Sequence, residues 1–177
     1  MRAALTATSV AIATLVGAVP SPALAAGPGP RQIQQAVARA ERSPSLWATI
    51  NICLPSGRGR GGQLGVRGQM PALGFAATLS MTVRLGAWSA KQQRFVAING
   101  SSATSNLSSG SVSSGRQQDG VQFGYKSPAG LLNARIDFTW TRGGKVLAET
   151  QRRTTGGHQD ADYGRPAHYS APSCRLG

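Results

Sequence analysis

The sequence predicts an all-β chain: an antiparallel β-sandwich with immunoglobulin-like layering, preceded by a short α-helix. Three observations predict it. Apolar residues recur at every second position in several separate stretches. Gly-, Ser-, Asn- and Asp-containing turn signals divide those stretches. The long strand–helix–strand crossovers that a parallel sheet requires are absent.

The chain opens on a secretory leader. Met1-Arg2 supplies a positive n-region, Ala3–Val19 is uncharged and apolar, and Pro20 and Pro22 break any helix. Ala23-Leu24-Ala25 then places small residues at −3 and −1, which predicts a signal peptide over 1–25 with cleavage before Ala26. The apolar run, about 17 residues, is short for a bilayer span of about 20. No later stretch is long and apolar enough, so no membrane span is expected in the mature chain. Residues 26–45 read as a Gly/Pro tether and an amphipathic helix over Arg31–Arg42. Ile33, Ala36, Val37 and Ala40 form its apolar stripe, and Ser43-Pro44 ends it.

Residues 46–177 read as the sandwich. Ala48, Ile50 and Ile52 alternate with Trp47, Thr49, Asn51 and Cys53. Leu79, Met81, Val83 and Leu85 alternate with polar partners, as do Leu132, Ala134, Ile136, Phe138 and Trp140. Shorter strands are expected at 65–69, 94–98, 121–125 and 146–153, with a last one at Ala167–Ala171. Arg142-Gly143-Gly144-Lys145 reads as a hairpin turn. Trp140 belongs to the core, whereas Trp47 has the opposite parity from Ile50 and fits under the helix or partly in solvent. Ser56–Gly62 and the Ser/Gly-rich 101–115 segment read as mobile, the second with room for a weak edge strand. The chain's two cysteines, Cys53 and Cys174, read as one disulfide tying the first strand to the C-terminal tail.

Charge bounds the function. The chain carries 19 Lys and Arg against 6 Asp and Glu, a formal +13. Arg58 and Arg60 in the Gly/Arg loop, with Arg67 after it, are the candidate contacts for an anionic ligand. Specific nucleic-acid binding is not expected, because no aromatic residue for base stacking lies between Trp47 and Phe75. His158, Asp160, Asp162 and His168 form a polar group near the C-terminus. As a calcium loop it fails, with Gly164 at the fifth position and no bidentate Glu after it, so no metal and no cofactor is expected. No Gly-x-Ser-x-Gly elbow is present, and with six acids in all no carboxylate pair stands out; Asp137 beside Arg135 reads as an ion pair. No catalytic residue is assigned.

Trp47–Cys53 opening the domain, Met70-Pro71, Arg153–His158 and Ser170–Cys174 together resemble small secreted β-sandwich proteins of uncharacterised function from high-GC Gram-positive bacteria. The resemblance implies export and one disulfide and brings no site residues. The function expected is that of a secreted or cell-surface, non-enzymatic binding module. Its partner would be an anionic cell-envelope polymer or a protein. The alternatives are a small hydrolase using His158 with nearby carboxylates, and a secreted inhibitor or toxin-like factor.

Overall fold

Alternation in the sequence becomes antiparallel pairing at every ladder of the computed structural model, which describes residues 27–57, 61–100, 104–126 and 130–177. The expected leader, Arg58 and Arg60 lie outside the described residues. The elements in order are α1 (Pro30–Glu41), β1 (Trp47–Leu54), β2 (Gly62–Pro71), β3 (Ala77–Ser89), β4 (Arg94–Ala97), β5 (Thr104–Val112), β6 (Arg116–Tyr125), β7 (Gly130–Arg142), β8 (Lys145–Arg153) and β9 (Cys174–Leu176).

Two sheets result. One has three strands in the order β1-β2-β6. The other has six, with β3 and β7 at its centre. Strands β5 and β4 pair successive parts of β3, and β9 and β8 pair successive parts of β7. The alternating apolar positions put Ile50, Leu64, Val66 and Met70 of the small sheet against Leu79, Met81, Val83, Ile136 and Phe138 of the large one, all buried. Trp140 is fully buried, and its indole N–H donates to the Pro71 carbonyl at 2.9 Å. The hairpin between β7 and β8 turns on Gly143 and Gly144, whose φ values of 55° and 76° are the left-handed pair that a two-residue I′ loop needs.

Helix α1 starts at Pro30, where a missing N–H costs nothing. It buries Ala36 and Ala40 against the sandwich. Its C-terminus is held by the Arg152 guanidinium, which donates to the Glu41 carbonyl. The disulfide joins Cys53 to Cys174, with their Cα atoms 5.6 Å apart.

One open choice closes and two expectations change. The Ser/Gly-rich segment forms a nine-residue edge strand, β5, along β3. Ala167–Ala171 is not a strand: His168 has a φ of 60°, which no strand adopts, and the segment's backbone pairs with β1 through an isolated bridge at Ala171. Finally, β1 has no wet face. Thr49 and Asn51 are as buried as Ile50, and Trp47 is 5% exposed. What covers them is the stretch between β8 and β9, residues 154–173, folded over the outer face and free edge of β1.

Among the described residues no helix is long and apolar enough to cross a membrane.

Candidate functional site

The 154–173 stretch is fastened to β1 by backbone hydrogen bonds along its edge. Thr155 N–H donates to the Ala48 carbonyl, Ile50 and Ala171 exchange a pair, and Arg165 N–H donates to the Asn51 carbonyl at 2.7 Å. A polar network then fixes it over the sheet. The buried Gln69 carboxamide donates to the Ser45 carbonyl and accepts from Gln118. Gln118 in turn donates to the Asp160 carbonyl and accepts from the Asp162 N–H. Asn51 donates to the Asp162 carbonyl at 2.6 Å. The buried Asn51 and Gln69 amides and the half-buried Gln118 thus satisfy one another's donors and acceptors and tie the segment to the sheet.

Between this segment and the sheet lies a cleft of about 220 Å³. Its floor is Gly65 and Gly120, glycines inside strands where a side chain would close it. A Cβ on Gly65 would sit 2.8 Å from the Asn51 carboxamide oxygen, and one on Gly120 would sit 3.0 Å from Arg67 Nε. Glycine at both positions therefore lets Asn51 and Arg67 lie flat along the sheet. Arg67, Arg165, Tyr163, Asn51 and Gln122 make the walls. The Arg67 guanidinium stands 5.1 Å from the Tyr163 ring centre, a cation–π contact. Tyr163 is held at a left-handed φ of 59° and is 79% exposed at the rim.

The electrostatics are one-sided. No acid lines the cleft. Arg67 Nε is buried and has no hydrogen-bond partner. Among the described residues the ion pairs are Arg84–Asp137 and Arg135–Asp137, so neither Arg67 nor Arg165 is neutralised. The cleft offers two unpaired guanidinium groups, two carboxamides and an aromatic rim: a donor-rich, water-accessible cradle for an oxyanion.

The other predicted residues fall elsewhere. Arg58 and Arg60 lie outside the described residues, in the connection between β1 and β2. His158 is stacked on Trp47, ring centres 4.6 Å apart and planes 15° off parallel. Its Nε2 is 2.9 Å from Thr155 Oγ1, and its backbone N–H donates to Ser170 Oγ. Burial pushes the imidazole below its ordinary pKa, and the nearby Asp160 pulls the other way. Among the described residues the ring's hydrogen-bond partner is the Thr155 hydroxyl, not a carboxylate. Asp160 and Asp162 serve the network through their backbones. His168 is exposed, with Nδ1 3.3 Å from the Gln159 carbonyl. Among the described residues no three His, Cys, Asp or Glu side chains gather as a metal set would. Sequence reasoning singled out Arg67 but missed Arg165, Tyr163, Asn51 and Gln122. The signal available was Gly65 and Gly120 inside strand patterns, the mark of close approach.

No protein-family model and no curated protein matches this chain. Among solved structures it is similar to a glycosyl hydrolase family 2 member from Bacteroides cellulosilyticus, at 9% identity over 62% of this chain and 14% of that one, with a TM-score of 0.37. It is also similar to a Bacteroides uniformis beta-glucuronidase, at 12% identity over 63% of this chain and 13% of that one, with a TM-score of 0.37. The chain thus aligns with about one-seventh of such proteins. At this likeness the fold rests on the chain's own strand pairing, and no chemistry transfers.

Proposed function

We propose that the chain is a secreted or cell-surface, non-enzymatic binding module that holds an acidic glycan of the cell envelope in the cleft between β1–β2–β6 and the 154–173 segment. The observation that carries this reading is the lining of the cleft: Arg67 and Arg165, neither in an ion pair among the described residues, and no acid. A carboxylate on a sugar ring would pair with the two guanidinium groups. Asn51 and Gln122 suit hydroxyl groups, and Tyr163 suits the apolar face of the ring. The overall positive charge draws a polyanion toward the surface, with a range of about 8 Å at physiological salt.

The test is retention of the oxidised, leader-free protein on immobilised polygalacturonate. Each charge-assisted contact is worth about 1.5–3 kcal/mol, so Arg67→Gln and Arg165→Gln each lower affinity by about tenfold or more. Retention weakens with salt and is absent on neutral dextran. Arg58→Gln with Arg60→Gln tests whether the neighbouring loop adds to the contact. Equal retention of wild type and the Arg67→Gln/Arg165→Gln pair would sink the assignment of the cleft.

A further inference from the structure

The opposite face of the sandwich carries a second feature with the same chemistry. Arg84 on β3 pairs across the strands with Arg135 on β7, and Arg135 pairs with Arg153 on β8. Three arginines thus stand in one row on adjacent strands, about 4.8 Å apart from strand to strand. Like charges directly opposite one another destabilise a sheet, so the row costs stability. Asp137 offsets part of that cost, receiving Arg84 Nε at 2.8 Å and Arg135 Nε at 3.3 Å. Both guanidinium groups keep further donors, and Arg153 has no ion-pair partner among the described residues. Glu149 is exposed on the same strand, four residues or about 13 Å from Arg153.

The row borders a trough of about 100 Å³. Its floor is Gly86, over which the Asn133 carboxamide lies: a Cβ there would sit 2.6 Å from Asn133 Oδ1. Its far wall is Phe95, braced edge-on by the 41% exposed Trp88, with ring centres 5.3 Å apart. Cations on one side, an aromatic wall on the other and a carboxamide beneath repeat the donor set of the cleft, built from different strands. The two sites lie on the outer faces of the two sheets, so both can be occupied at once.

We infer that the Arg84–Arg135–Arg153 row and its trough form a second acidic-glycan site, which makes the protein bivalent and able to bridge two glycan chains. This rests on the reading of the first cleft, and the two are separable. Titration calorimetry with hexagalacturonate gives two sites per wild-type molecule. The Arg67→Gln/Arg165→Gln variant keeps one, and the Arg84→Gln/Arg153→Gln variant keeps the other. With long polygalacturonate the wild type gives turbidity that rises and then clears in excess polymer, as crosslinking requires. Each double variant binds the polymer but scatters at least tenfold less. Both variants leave Asp137 paired with Arg135, and matching circular dichroism verifies folding.

Four outcomes overturn the inference. If the wild type takes up one hexamer and Arg84→Gln/Arg153→Gln changes nothing, the row is not a site and the first cleft stands. If that variant abolishes all binding, the row is the sole site and the first cleft falls. No uptake by any form removes both. Tighter, Arg84-dependent binding of a single-stranded oligonucleotide than of hexagalacturonate would reassign the row to nucleic acid.

Discussion

Arg67 couples cost to use at a single side chain. Its Nε is sealed from water and bonded to nothing, a state that costs about 1–3 kcal/mol in a folded protein. Arg67→Met removes the orphaned donor while keeping the aliphatic stem. The expected result is an unchanged or higher melting temperature together with about tenfold weaker glycan retention; a drop of several degrees would show that Arg67 is structural. Tyr163 makes a parallel case. A left-handed backbone costs a non-glycine residue about 1 kcal/mol or more, and the exposed ring gains little burial in return. Tyr163→Gly is therefore expected to leave thermal stability within about 1 kcal/mol of wild type and to weaken glycan binding several-fold. Equal affinity in the variant would remove Tyr163 from the site.

The 154–173 segment is the element on which the cleft depends, and His158 is its titratable pin. Its pKa is lowered by burial against Trp47, so the unfolded chain binds a proton before the folded one does. The neutral ring's contribution is complete above the ordinary histidine pKa of about 6.5 and is lost as pH falls through the lowered folded value. Acidification below pH 6 should lower the protection of the Thr155 and Ala171 amides relative to the intrinsic exchange rate at each pH, and His158→Gln should flatten that dependence. An identical pH profile in the variant would assign the effect to another group. Gln69 is the second pin. Gln69→Leu strands the Ser45 carbonyl and the Gln118 amide, and is expected to cost about 1–3 kcal/mol in denaturant unfolding. At this scale the sequence was only half legible. Period-two alternation identified β1, β3 and β7, because one face of each packs on the core. The same rule assigned Thr49 and Asn51 to water. Nothing local to β1 says that a segment more than a hundred residues later covers them, and that segment has no periodicity of its own to betray it.

Across the whole molecule, two features in the sequence survive translation into structure: the layered β architecture and the Cys53–Cys174 bridge. The arginine row does not show in a linear reading. Arg84, Arg135 and Arg153 are far apart in sequence and meet only through register, which turn geometry and the buried faces set. Arg67 was visible as one basic residue near a Gly/Arg loop, whereas its partner Arg165 was hidden in a Pro- and Asp-containing connection. The disulfide closes a separation of 121 residues, for which chain entropy gives about 4–5 kcal/mol. The Cys53→Ser/Cys174→Ser protein should lose stability on that order, read from the shift of the unfolding midpoint; a shift under about 1 kcal/mol would place the bridge's role outside the folding equilibrium.

The backbone edge of β1 has one more consequence. Ala48, Ile50, Asn51 and Cys53 spend their outward hydrogen bonds on Thr155, Arg165 and Ala171, and Cys174 anchors that strip three residues beyond Ala171. Without the sulfur link, the strip can peel away and leave a bare ladder that any other copy of the chain can extend. A reducing environment should thus make the protein more fibril-prone, seen as concentration-dependent growth in particle size after dithiothreitol. The fold is suited to places where thiols stay oxidised.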